Sequence, residues 1–194
     1  MNNQKLALLF LLLMPVILSS CFLYQELPVE YDYSYKGKFN KYNTFSIQDL
    51  EANATQEYGY LIDNSILSHM RLHGYQLDHK KPDLLITYSI FEDSLTLRGY
   101  HQPELNQWLK RTKRQQTYYS KKIELYEGTL FIQIYDRKQD EPVWQGYATD
   151  KFGKIIFSSD KQVRNAVKSV LNKYHIFSEQ FAKNEEELLN QKIY

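Results

Sequence analysis

Residues 125–136, LYEGTLFIQIYD, decide how this chain folds. Leu130, Ile132 and Ile134 alternate with Phe131, Gln133 and Tyr135, the two-residue period of a strand with one face buried. The polar run Arg137-Lys138-Gln139-Asp140 follows, and then residues 141–150, EPVWQGYATD, read as the other arm of a hairpin. Gly146 inside that arm marks a bulge or a close approach of another group to the backbone.

A buried strand face needs an apolar layer against it, and the flanking sequence offers two helices. C-terminal to the hairpin, residues 158–174 (SSDKQVRNAVKSVLNKY) open on Ser159-x-x-Gln162, a capping-box pattern. Val163, Val167, Val170, Leu171 and Tyr174 then form a stripe at helical spacing. N-terminal to the hairpin, Ile62, Ile66 and Met70 recur every fourth residue, Leu61 and Leu67 widen the stripe, and Gly74 stands at a helix C-cap position. Residues 81–93, KPDLLITYSIFED, read as a strand with Leu84, Ile86, Tyr88 and Ile90 on one face. Near the start, Val29, Tyr31, Tyr33 and Tyr35 alternate with Glu30, Asp32 and Ser34. Gly37 and Asn43 break that strand before a short apolar piece, residues 45–47.

The order β-α-β-insertion-β-β-α predicts an α+β domain in two layers. A mostly antiparallel sheet of four to five strands would carry both helices on one face. The first strand–helix–strand unit could pair in parallel through a right-handed crossover. Residues 94–122 show little periodicity and many charges, and read as a long loop or insertion. Residues 175–194, with Glu185-Glu186-Glu187 and a sparse Phe181/Leu188/Leu189 stripe, read as a loosely docked or free helical tail.

The first residues, MNNQKLALLFLLLMPVILSSC, place one charge, Lys5, ahead of an apolar run over residues 6–18. That run is shorter than the roughly 20 residues a membrane-spanning helix needs, and reads as a secretory signal. It ends on Leu18-Ser19-Ser20-Cys21, which resembles the lipobox of bacterial lipoproteins, and Cys21 is the sole cysteine of the chain. The resemblance implies cleavage before Cys21, a diacylglycerol on its sulfur and acylation of the new amine. Each buried methylene contributes about 0.8 kcal/mol, so two or more acyl chains anchor stably where one does not. The alternative is an ordinary signal peptide, or an anchoring helix, with a bystander thiol. Phe22 after Cys21, with no aspartate at the sorting position of such lipoproteins, implies delivery to the outer membrane if the cell has one, facing the periplasm by default with cell-surface display as the alternative; in a cell with one membrane it implies the outer face of the cytoplasmic membrane.

Removing residues 1–20 of the 194 leaves 174, enough for one domain with a sizeable core. Residues 21–28 would be a lipidated tether, and 29–174 the domain. Hydrophobic residues make up 43% and aromatics 15%, with 17 tyrosines and 10 phenylalanines, which favours a strand-containing fold over a disordered stalk. A formal net charge of +1 gives no global basic excess, so nucleic acid is not an expected partner.

The ordered set EYDYSYKGKFNKYNTF, LHGYQ, KPDLLITY, YEGTLFIQIYD and PVWQGYA resembles the lipoprotein family known as domain of unknown function 4136, over about residues 29–174. Gln145 stands where that family often carries arginine, and the tail past Tyr174 is longer than usual. The resemblance implies a location and a fold and brings no established activity.

Candidates for chemistry are few. The one thiol is assigned to lipid, and no Gly-x-Ser-x-Gly elbow or phosphate-binding glycine loop occurs among the seven glycines. His69 and His73, four apart on the first helix, share a face as a metal pair would, but no carboxylate stands three or four residues away; a solvated or capping pair is the expectation. Asp32, Asp83, Asp93 and Asp136 fall at strand ends, where turn-forming aspartates are ordinary. Trp144 beside Gly146 could stack on a sugar, but a core tryptophan packed on a glycine is favoured.

The segment 95–122 is basic and aromatic: Arg98, Lys110, Arg111, Lys113, Arg114, Lys121 and Lys122, with Tyr100, Trp108, Tyr118 and Tyr119 interleaved. On a tethered domain it is a candidate contact for anionic lipid or glycan, about 1 kcal/mol per basic group near an anionic surface, or simply a solvated loop. The expectation is a lipid-anchored envelope protein that binds or assembles, with membrane, an envelope protein or an anionic lipid or glycan as partners. No catalytic residue, metal or cofactor is assigned. The alternatives are an enzyme acting on envelope glycans or lipids, and a structural spacer.

Overall fold

The computed structural model describes residues 27–48, 56–91, 93–100, 120–149 and 156–191. In chain order these form β1 (Val29–Tyr33), a 3-10 turn (Phe39–Lys41), β2 (Thr44–Ile47), α1 (Gln56–Leu72), β3 (Gln76–Leu77), β4 (Leu84–Ile90), β5 (Leu95–Tyr100), β6 (Ser120–Leu125), β7 (Leu130–Asp136), β8 (Glu141–Ala148) and α2 (Asp160–Gln191). Six strands make one sheet in the order β1-β8-β7-β4-β2-β3, and β5 pairs with β6 in a separate ribbon.

The expected α+β class holds: the main sheet is mostly antiparallel and two helices pack on it. It exceeds the predicted four to five strands because β2 and β3 have four and two residues, too few to display an alternation. The parallel crossover involves β2 and β4, which pair Phe45 with Leu84 and Ile47 with Ile86. β1 instead runs to the opposite edge and pairs antiparallel with β8.

The central hairpin is as read. β7 and β8 pair antiparallel, and β4 lies along the other side of β7 with Ile86 opposite Ile134 and Tyr88 opposite Ile132. Leu84, Ile86, Leu130, Ile132 and Ile134 have no exposed surface. They meet Ile62, Ile66 and Met70 of α1 and Val163, Ala166, Val167, Val170, Leu171 and Tyr174 of α2 in one core. Each such aliphatic side chain contributes about 1.5–3 kcal/mol by leaving water. The register shift lies between Ile134 and Tyr135, opposite Trp144 and Pro142, not at Gly146. Gly146 is the close approach: a Cβ there would stand 2.4 Å from the Trp144 ring and 2.8 Å from Val170 Cγ1. Trp144, 1% exposed, is a core residue and not a sugar platform.

Both caps are present. At the end of α1, Gly74 takes φ 86°, the Tyr75 amide donates to the Met70 carbonyl and the Gly74 amide to that of Arg71, a Schellman motif. At the start of α2, the Gln162 amide donates to Ser159 Oγ at 3.4 Å. The two helices run in the same direction. Tyr58, early in α1, donates to the Phe157 carbonyl just before α2, while His73 at the other end meets His175.

Two segments depart from expectation. α2 continues without a break from Asp160 through Tyr174 to Gln191, so the region read as a loosely docked or free helix is helical, and its first part, through Phe181, is firmly docked. Phe177, Ser178 and Phe181 extend its buried stripe past Tyr174. Phe177 lies 4.3 Å from Tyr33 and 4.9 Å from Phe39 between ring centroids, and Phe181 lies 5.0 Å from Phe39. The flanks of the segment read as a loop form the β5–β6 ribbon, in which Leu95 pairs with Leu125 and Leu97 with Ile123. Its remainder, residues 101–119, lies outside the described residues.

Candidate functional site

The Schellman cap on α1 turns Tyr75 back toward α2 and leaves His73 on the seam between the helices. His69 and His73, one turn apart, face α2, which contributes His175 and, one turn on, Glu179. The three imidazoles form a row, with ring centroids 4.5 Å apart for His69–His73 and 3.6 Å for His73–His175. His175 Nε2 lies 3.6 Å from Glu179 Oε1. The row opens onto a groove of about 210 Å³ whose walls include Phe39, Tyr42, His73, Tyr75, His175 and Glu179.

Burial, then the neighbouring His73, His175 and Lys168, push the His69 imidazole down to about 4, against a backbone hydrogen bond at Leu171 that favours the charged ring. Its Nε2 is buried without a hydrogen-bond partner among the described residues. His73 is also lowered, by burial and then by His175, with Glu179 opposing. The solvated or capping pair expected from the sequence is therefore half right at most, since His69 is 8% exposed. Among the described residues no three histidine, cysteine or acidic side chains are arranged to hold a metal ion. The His73 and His175 ring planes are tilted by 33°.

Opposite the histidines, the Tyr42 hydroxyl donates to Asp136 at 2.9 Å and accepts from the Lys38 amide at 2.9 Å. Asp136, 3% exposed, also accepts from the Lys138 and Gln139 amides and from Gln139 Nε2. Burial acts to raise its carboxyl, but these donors, Gln139 and Tyr42 foremost, outweigh it and hold it below the usual carboxylate range. Asp83 behaves alike: burial opposes, and the Asn43 and Thr44 amides, the Thr44 hydroxyl and Lys138 prevail. The register sets Asp136 opposite Leu84, next to Asp83, so two predicted carboxylates do share a corner. Each is saturated with donors and neither is pushed up toward the range of a general acid. They pin the β7–β8 turn and the start of β2.

Of the residues predicted to meet an anionic surface, Arg98, Lys121 and Lys122 lie on the ribbon, while Lys110, Arg111, Lys113 and Arg114 lie outside the described residues, as does Cys21. Lys121 forms an ion pair with Glu30 on edge strand β1, tying the ribbon to the main sheet. Lys122 pairs with Glu124 at 2.6 Å. Arg98 stands directly opposite Lys122, a like-charge pair that Glu124 relieves. Gln145, at the position where arginine was expected, belongs to a chain on the sheet face away from the helices. Tyr135 donates to Gln133, Gln133 to Gln145, and Gln145 to Tyr147 at 2.7 Å.

Sequence reading missed His175 and Glu179 as members of the histidine row. Their spacing of four was visible, but nothing local says that α1 and α2 run parallel with these ends together.

Two helices on one face of a mixed, largely antiparallel sheet, with a side ribbon, define a two-layer α+β domain. The chain belongs to the family described as domain of unknown function (DUF4136), whose model matches residues 29–174. Solved structures similar to it include the following three. A DUF4136 family protein from Bacteroides thetaiotaomicron is 18% identical, with a TM-score of 0.49, covering 82% of this chain and 99% of that one. A PDZ domain protein from Parabacteroides distasonis is 18% identical, with a TM-score of 0.48, over 76% of this chain; the chain spans 35% of that protein's length. A PelC dodecamer from Paraburkholderia phytofirmans is 10% identical, with a TM-score of 0.42, covering 74% and 93% of the two chains. No curated protein matches the chain.

Proposed function

We propose that this protein is a lipid-anchored component of the cell envelope that works by binding or assembly and not by catalysis. The observation that carries the anchoring is the sequence Leu18-Ser19-Ser20-Cys21 closing an apolar run, with the sole thiol of the chain at its end. No helix among the described residues is long and apolar enough to cross a membrane. A non-catalytic role is supported by the use to which the ionisable groups are put: Asp83 and Asp136 accept from backbone amides and hydroxyls at a loop corner. Delivery to the outer membrane, periplasm-facing, follows from Phe22 in the sorting position.

Cys21→Ser tests the anchor. Expressed in its bacterial host, the wild type is expected in the membrane fraction and labelled by radioactive palmitate. The variant is expected to lose the label and to leave that membrane fraction for the soluble one or for an uncleaved precursor. A variant that stays membrane-bound in its mature, shortened form refutes the lipid anchor.

A further inference from the structure

We propose that the His69–His73–His175 row is a proton-operated latch. While His69 and His73 are neutral it holds the C-terminal half of α2 against α1; once those two rings charge, the seam opens and with it the groove. Three rings in near contact bridge two helices at the end where the seam closes, 4.5 Å and 3.6 Å apart. The groups facing them from every packed element offer one counter-charge. α2 presents Glu179, 3.6 Å from His175, and also Lys168, which bears on His69 with the same sign as a protonated ring. From the β3 side comes the Tyr75 phenol, joined to that of Tyr174 at 3.4 Å. Across the groove lies Tyr42, already engaged with Asp136. A protonated His69 would be 8% exposed, supported by a backbone hydrogen bond at Leu171 of α2, with an Nε2 proton that has no acceptor among the described residues.

The sign follows from the closed state favouring neutral His69 and His73. With His69 at about 4 when closed and near its ordinary 6.5 when open, the open form binds the extra proton between those pH values. The latch is closed above about pH 6.5 and loses hold as the pH falls toward 4. By pH 5 the opening constant rises about thirtyfold from His69 alone, with His73 adding in the same direction. The C-terminal turns of α2 are where this opening falls, because past Tyr174 the helix is held by Phe177 and Phe181 on Phe39 and on Tyr33 of the edge strand β1, away from the central strands β7 and β4.

Amide hydrogen exchange on the full-length protein in detergent, at pH 7.5 and 5.0 and expressed as protection factors, reads this directly. Residues 69–73 and 171–181 are expected to lose about thirtyfold in protection at pH 5 while β7 keeps its own. His69→Gln is expected to reduce that loss to threefold or less. The proposal is overturned by protection that does not change with pH, by an equal loss in β7, or by the same loss in the variant. Should the variant not fold, imidazole titration in the wild type decides: a His69 midpoint below 5 supports the latch, and one near 6.5 overturns it.

Discussion

Gly146 and Gly59 are both glycines inside regular elements, and their surroundings set opposite consequences for adding one methyl. At Gly146 the new carbon would meet the Trp144 ring at 2.4 Å and Val170 at 2.8 Å, both in the core. Neither side chain can retreat, because the sheet lies behind one and α2 behind the other. Gly146→Ala is expected to lower stability by about 1–3 kcal/mol through overpacking. At Gly59, in α1, the nearest atom is the Tyr88 hydroxyl at 3.6 Å, an ordinary contact. Gly59→Ala should therefore raise stability by about 0.5–1 kcal/mol, by removing conformational freedom from the unfolded chain. Urea midpoints of the two variants, followed by tryptophan fluorescence, should move in opposite directions; equal shifts would mean that local packing does not govern either site. The glycine in the hairpin arm was legible as special from sequence, but the choice between bulge and close approach depended on Val170, which is remote in the chain.

At the scale of elements, α2 carries the main correction. Its 32 residues give a rod of about 48 Å, longer than the two-layer core needs. Phe177 and Phe181, four apart, continue the stripe from Tyr174, whereas the residues after 182 are largely charged. Phe181, 3% exposed, closes on Phe39 and Phe177. Phe181→Ala is expected to cost about 3–5 kcal/mol. A thermal or urea unfolding curve that overlays the wild type would restore the free-tail reading. The ribbon makes the same point with shorter strands. Leu95 and Leu97 alternate with Thr96 and Arg98, and Ile123 and Leu125 with Lys122 and Glu124, yet three or four residues of alternation among charges fall below what a periodicity can display.

At the scale of the whole molecule, the question is how a domain with formal charge +1 would meet an anionic surface. Lys121 and Lys122 are neutralised by Glu30 and Glu124, which leaves Arg98 on the ribbon and the cluster at residues 110–114 to carry any such contact. Replacing Lys110, Arg111, Lys113 and Arg114 with serine is expected to weaken sedimentation with anionic vesicles at least tenfold, since four groups contribute about 1 kcal/mol each. Replacing Lys121 and Lys122 should change it little, because their charge is already paired. Unchanged sedimentation of the fourfold variant would end the anionic-surface reading of this segment.

The sequence by itself determined the hairpin, both helices, their caps, the α+β class and the family, because alternation, helical stripes and cap residues are properties of neighbours along the chain. Only the tertiary structure decided that β2 and not β1 runs parallel to β4, that Asp136 is filled by Tyr42, that Glu30 claims Lys121, and that His175 completes a row begun by His69 and His73. Each of those depends on two segments far apart in sequence meeting at a chosen register. That choice is made by the burial of whole faces at once, which no local pattern encodes.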